Sequence, residues 1–101
     1  MKINVFSVIH EDYRYNEIDS IICIDFEKEH DRDVYFQSQI AYYRGLRGLD
    51  GKQAFTQRID DFDKNTICFD DRGGNWSSHL TKTERVINIC SSINDDGTLN
   101  Y

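Results

Sequence analysis

The apolar residues of this 101-residue chain come in short, β-branched runs separated by clusters of Asp, Asn and Gly, and there is no proline. Runs this short suit strands of about four to eight residues better than helices. With no proline, every break in regular structure must come from the Gly, Asn and Asp clusters.

Lys2 to Ile9 reads as a first strand, with Ile3, Val5 and Ile9 on one face and Phe6 and Val8 on the other. Two largely apolar faces predict a central position in a sheet. Glu11 to Glu17 reads as a polar connection, and the isoleucine-rich segment Ile18 to Phe26 as a second strand. After the charged turn Glu27–Asp33, residues Val34 to Tyr43 alternate in a way that favours a strand, paired with the second as a hairpin. A helix is the competing reading there, with Asp31 or Asp33 as N-cap and a ragged stripe of Phe36, Ile40 and Tyr43.

The glycine-rich stretch 45–52 is a loop, and Gln53 to Ile59 is a short strand or one helical turn. Asp60 to Asn65 is a turn, Thr66 to Phe69 a strand, and Asp70 to Asn75 a sharp loop ending at Trp76. Thr81-Lys82-Thr83-Glu84 has the spacing of a capping box, and Val86, Ile89, Cys90 and Ile93 recur at helical intervals behind it. That spacing predicts a helix over 82–93, although Val86, Ile87 and Ile89 are β-branched. Asn94-Asp95-Asp96-Gly97 then reads as a hairpin-type turn. The expected fold is one α+β domain over 1–101. It is mainly an antiparallel sheet of about five strands with one covering C-terminal helix; the alternative is an all-β barrel or sandwich.

Charge is segregated along the chain. Residues 10–33 hold nine acids against three bases, and residues 60–71 hold five acids against Lys64. Residues 34–59 are basic, with Arg44, Arg47, Lys52 and Arg58 against Asp50. A net charge of −6 argues against direct binding of nucleic acid, which needs cations to displace counterions from phosphates. It favours a basic protein partner, reached faster by electrostatic steering. Cys23, Cys68 and Cys90 are odd in number, have no close pair and lie in apolar runs. They read as reduced core thiols, which together with the lack of a secretory or membrane-spanning segment implies a cytoplasmic location.

No motif for catalysis, a cofactor or a metal accompanies this pattern. Asp61, Asp63 and Asn65 match the first three ligand positions of a calcium loop, but Thr66 stands where glycine is needed and Arg72 where a bidentate Glu belongs. The three histidines and three cysteines lack zinc spacing. No local signature marks a nucleophile.

The pattern points to a non-catalytic inhibitor of a basic partner such as a nuclease toxin, as bacterial immunity proteins are. A phage-type anti-defence protein or DNA mimic, blocking a nucleic-acid enzyme, would rest on the same physics. The contact residues expected on this reading are Glu27, Glu29, Asp31 and Asp33 in the first acidic turn, and Asp60, Asp61, Asp63, Asp70 and Asp71 in the second. Tyr42, Tyr43 and Trp76 are the expected aromatic anchors. A different class of function, a small ligand-binding domain or enzyme, would use Arg44, Arg47, Lys52 and Arg58 to hold a small anionic ligand, with a histidine as acid or base.

Overall fold

A computed structural model describes residues 2–58 and 64–88. They form a five-stranded antiparallel sheet and one helix, in the order β1 (Lys2–Arg14), β2 (Glu17–Phe26), α1 (Glu29–Gly45), β3 (Phe55–Gln57), β4 (Thr66–Asp71) and β5 (Trp76–Asn88). The strands lie in the order β2-β1-β5-β4-β3, so β2 and β3 are the edges.

The strand β1 is central, as its two apolar faces require, and it pairs with β2 on one side and β5 on the other. It runs past Ile9 to Arg14, through the segment expected to be a connection. Only Tyr15 and Asn16 turn the chain, both with positive φ (52° and 65°). Two left-handed residues give the hairpin turn whose twist matches that of the flanking strands. At the other tight turn, Gly74 takes φ 73°, while the Asp71 carboxylate accepts hydrogen bonds from the backbone N–H groups of Asn75 and Trp76.

Residues 34–43 are helical, which corrects the strand expected there and its pairing with β2. Arg32, Phe36, Ile40 and Tyr43 are buried at helical spacing, so Arg32 extends the stripe by one turn. Glu29 and Asp31 in the first turn and Arg44 in the last complement the helix dipole. Lys28 occupies the N-cap position, with no side-chain cap. Sheet alternation would have placed Phe36 and Tyr43 on opposite faces; the helix brings both onto the sheet.

The second correction concerns the C-terminal segment. Residues 82–88 continue β5, a central strand, and the covering helix is α1 in the N-terminal half. The register pairs β5 with β1 from Lys2–Asn88 to Arg14–Trp76, and with β4 from Thr66–Thr81 to Asp70–Ser77. The Thr81 hydroxyl lies 3.2 Å from that of Thr66 across the ladder instead of capping a helix. Pairing on both sides outweighs a four-residue capping pattern, and Val86 and Ile87 suit the pleat. The expected helical residues 89–93 and the turn 94–97 lie outside the described residues.

The helix α1 starts beside β2 and crosses the sheet toward β3. Tyr35 packs on Phe26 of β2, Arg32 lies over the Phe6 ring of β1, and Lys82 of β5 lies over Phe36. Tyr43 then stacks on Phe69 of β4 with ring centroids 5.2 Å apart, and meets Phe55 of β3 edge-on. Val8, Phe36, Ile40, Tyr43, Phe69 and Leu80 form the core. Fully buried side chains such as Val8, Phe69 and Leu80 each contribute about 1.5–3 kcal/mol.

Candidate interaction surface

Two polar clusters invite a catalytic reading, and the geometry of each argues against one. The first lies under α1. Asp12 accepts a hydrogen bond from Ser78 Oγ at 2.6 Å, and its other oxygen accepts one from Ser20 at 3.3 Å. His10 Nε2 is 3.0 Å from Asp12 and 2.8 Å from the Tyr43 hydroxyl. A serine nucleophile needs its hydroxyl against the histidine, with the acid behind. Here the acid stands between serine and histidine, and Ser78 is buried. The cluster satisfies polar groups at the end of the core.

The second lies on the opposite face of the sheet. The register sets Cys68 of β4 opposite His79 of β5, and His79 opposite Glu11 of β1. Burial, and next the nearby Arg58 charge, hold His79 below its ordinary proton affinity. Tyr13 packs its ring on His79 at 4.7 Å and donates a hydrogen bond to Glu11, which raises the phenol's pKa. The order thiol–imidazole–carboxylate resembles a nucleophilic relay, yet Cys68 is only 1% exposed. A reactive thiolate must be reached by substrate. No group of three or more His, Cys, Asp or Glu among the described residues could hold a metal ion.

The cysteine expectation divides. Cys68 is buried as expected, whereas Cys23 is exposed on β2, and Cys90 lies outside the described residues.

The expected contact residues also divide. Glu27, Glu29 and Asp31 are exposed at the start of α1, and Asp33 is half-buried there against Arg32 Nε at 2.8 Å. Asp60, Asp61 and Asp63 lie outside the described residues. Their neighbour Lys64 lines the same open cavity, about 280 Å³, as Glu29, Arg32, Asp33, Lys82 and Glu84. Lys64 and Asn65 of the second acidic run therefore lie beside the start of α1. Asp70 is held by Arg58 through two hydrogen bonds, and Asp71 caps the Gly73–Gly74 turn. Both carboxylates already have intramolecular roles.

Among the aromatic anchors, Tyr42 is exposed on α1. Tyr43 is a correction. It is buried in the core between Phe69, Phe55 and His10, and offers no surface to a partner. Trp76 is 40% exposed at the far end of the sheet, with the Arg14 guanidinium 4.8 Å above its ring. A backbone bond from Tyr15 N–H to the Asn75 carbonyl ties the two turns together there, leaving Tyr15 outside. Trp, Tyr and Arg are the residue types that dominate binding hot spots. The sequence reading did not single out Arg14 or Tyr15, because nothing before the fold joins 14–15 to 76.

The larger omission is β2. Ile18, Ile21 and Ile22 are 60%, 56% and 52% exposed on this edge strand. In the sequence they resemble a core strand. Ile22 shares the α1 face with its partner His10 and is exposed because α1 leaves β2 after Phe26, whereas Ile18 and Ile21, opposite Tyr13 and Glu11, lie on the face that no helix covers. A bulge opposite Asp12–Tyr13 shifts the register so that Tyr13 faces Ile18 and Asp12 faces Ser20, with Asp19 as the extra residue.

The bases mark the electrostatic contrast. Arg32, Arg58, Arg72 and Arg85 are paired with Glu29 and Asp33, Asp70, Asp50 and Asp25 respectively. Arg44 donates to Gln57, and Arg47 to the Arg44 carbonyl. The smaller cavity, about 140 Å³, is lined by Arg14, Tyr15, Glu17, Ile18 and Asp19, so neither cavity gathers the basic segment 44–58. In contrast, Glu17, Asp19, Glu27 and Asp31 are exposed and make no ion pair among the described residues. They follow β2 into the first turn of α1.

No protein-family model matches this chain, and no curated protein or solved structure matches it significantly. Function must therefore be read from the chain's own residues. No described helix is long and apolar enough to cross a membrane.

Proposed function

We propose that this chain is a non-catalytic binding protein that inhibits a basic partner, such as a nuclease toxin or another nucleic-acid-handling protein. An immunity protein has this chemistry; an anti-defence protein or DNA mimic would use the same surface. The observation that carries the reading is the uncompensated charge along one edge. Glu17, Asp19, Glu27 and Asp31 are exposed and make no ion pair among the described residues, while Arg32, Arg58, Arg72 and Arg85 are already held by other carboxylates. Exposed carboxylates of one sign raise the encounter rate with a cationic surface. The adjoining isoleucines and the Arg14–Tyr15–Trp76 group supply apolar and aromatic contact area. Partners whose own sites bind polyanions carry the complementary charge.

The test is capture of host proteins on the immobilised chain at two salt concentrations. The Debye length falls from about 10 Å at 0.1 M to about 3 Å at 1 M. A basic partner is expected at low salt and should be lost at high salt. Glu17→Lys with Asp19→Lys should slow its association at least about tenfold with the far-ultraviolet circular dichroism unchanged. Association that is unaffected by both salt and charge reversal would overturn the reading.

A further inference from the structure

We propose that the β2 edge is a strand-addition site, on which an extended, lysine- or arginine-bearing segment of the partner pairs as a sixth strand. This rests on the reading above that the partner is a basic protein, and specifies how it is held.

Three observations converge on β2. First, it is an edge strand: β1 pairs with one side of it, and nothing among the described residues pairs with the other. An edge presents a row of open N–H and C=O groups, the template for pairing with another chain. The ladder with β1 is regular from Ser20 to Phe26, so about seven residues of straight edge lie beyond the Asp19 bulge.

Second, the guards of this edge are confined to part of it. Natural sheets protect an open edge with charged residues, proline, bulges or a covering element. Here the bulge and two of the strand's three carboxylates sit at Glu17–Asp19, while Ser20–Ile24 carries no charge and no proline, and α1 leaves the strand. Ile21 faces one side of the sheet and Ile22 the other, both more than half exposed. An incoming strand would bury side chains against each on alternate residues, which is how strand addition acquires specificity.

Third, charge selects the occupant. The strand carries Glu17, Asp19 and Asp25 and no base, and the chain continues into Glu27. Among the described residues only Asp25 of these is ion-paired, to Arg85 at 2.9 Å. Joining β2 to the β2 of a second copy would bring six carboxylates to one seam. A cationic strand meets the same carboxylates with attraction.

The test uses the full chain and two synthetic ten-residue peptides that alternate lysine with valine. One has a normal backbone; the other is N-methylated at every residue, keeping its charge but losing the N–H donors of both edges. The normal peptide should bind and slow hydrogen exchange at alternate amides of Ser20–Phe26. The methylated peptide should bind at least about tenfold more weakly, since each net backbone hydrogen bond is worth roughly two- to tenfold in affinity. Ile22→Lys, at an exposed site, should reproduce that loss while the far-ultraviolet circular dichroism stays unchanged.

Equal binding of the two peptides overturns strand addition and leaves the acidic-surface reading standing. Failure of both to protect β2 also overturns it, and the salt-dependent capture then decides the broader reading alone. Protection of β2 by self-association, without peptide, overturns the cationic occupant in favour of a second copy.

Discussion

Tyr43 decides between two views of α1, and replacing it separates them. As an exposed anchor, it would matter to a partner and little to the fold. In the structure it is 7% exposed, stacked on Phe69, edge-on to Phe55, with its hydroxyl 2.8 Å from His10 Nε2. Tyr43→Ala removes a whole ring from that contact, a change that costs about 3–5 kcal/mol for buried aromatics. A chain of this length has about 5–15 kcal/mol of stability in total. The variant should therefore lose a fifth or more of it, lowering the thermal midpoint by about 12–40 °C. Tyr43→Phe keeps the stack and removes only the hydroxyl. Because His10 retains Asp12, the loss should be about 0.5–1.5 kcal/mol. Urea unfolding followed by circular dichroism measures both. A Tyr43→Ala protein within 1 kcal/mol of the unmodified chain would refute the placement of α1 on the sheet.

Acid should weaken the fold in two steps. Burial and Arg58 depress the His79 proton affinity, with Glu11 and Asp70 pulling the other way, so the unfolded chain takes up this proton first. Stability is full above the ordinary histidine pKa of 6.5 and falls as pH drops below it. His79→Gln should flatten the thermal midpoint over that interval. Asp25, held down chiefly by the Ser7 hydroxyl, and Asp50, held down by Arg72, add a second loss below their ordinary value of 3.8. At the β1–β2 turn, Asn16 sits at φ 65° with an asparagine side chain where glycine is unstrained. Asn16→Gly should stabilise the protein by about 0.5–1 kcal/mol in the same unfolding assay.

The strands legible in the sequence were those whose environment is nearly uniform along their length. Both faces of Lys2–Ile9 are apolar, and that alone places β1 between two neighbours. Ile18–Phe26 and Thr66–Phe69 are strands for the same local reason, their β-branched and aromatic content. Segments with two competing patterns were not legible. Val34–Tyr43 alternates like a strand while Phe36, Ile40 and Tyr43 mark a helix, and the tie breaks only because an open sheet needs a cover. Residues 82–88 carry a capping-box spacing, and the tie breaks toward strand because β1 and β4 supply ladder partners on both sides. The surface followed suit. Glu27, Glu29 and Asp31 are exposed where charge density placed them, but Tyr43, Asp70 and Asp71 are committed to the core, an ion pair and a turn. The isoleucines of β2 were invisible as surface because their exposure depends on the strand being an edge, with α1 over only the Phe26 end of one face and no helix on the other.

The exposed isoleucines follow from geometry. Five strands about 4.8 Å apart span about 19 Å between the outer strand axes, while a helix with its side chains is about 10–12 Å across. Lying across the strands, α1 covers a band of that width on one face: it reaches Phe26 on β2 and Phe55 on β3 but leaves Ile22 beyond the band, and Ile18 and Ile21 lie on the other face. A sheet that had only to be stable would carry polar residues on the uncovered strand, as the face opposite α1 does with the Ser7–Asp25–Arg85 and Thr66–Thr81 ladders. At β2 the chain instead presents Ile18, Ile21 and Ile22 to solvent, rimmed by Glu17, Asp19 and Glu27. Exposed apolar area of this kind, rimmed by polar residues, is the surface type that marks interaction sites, which is the ground for the proposed contact with a partner. Carboxylates at its rim oppose self-pairing, and the same groups attract a cationic strand. The charge segregation of the sequence and the uncovered edge of the sheet thus coincide in one place, where a partner's strand would complete what α1 leaves open.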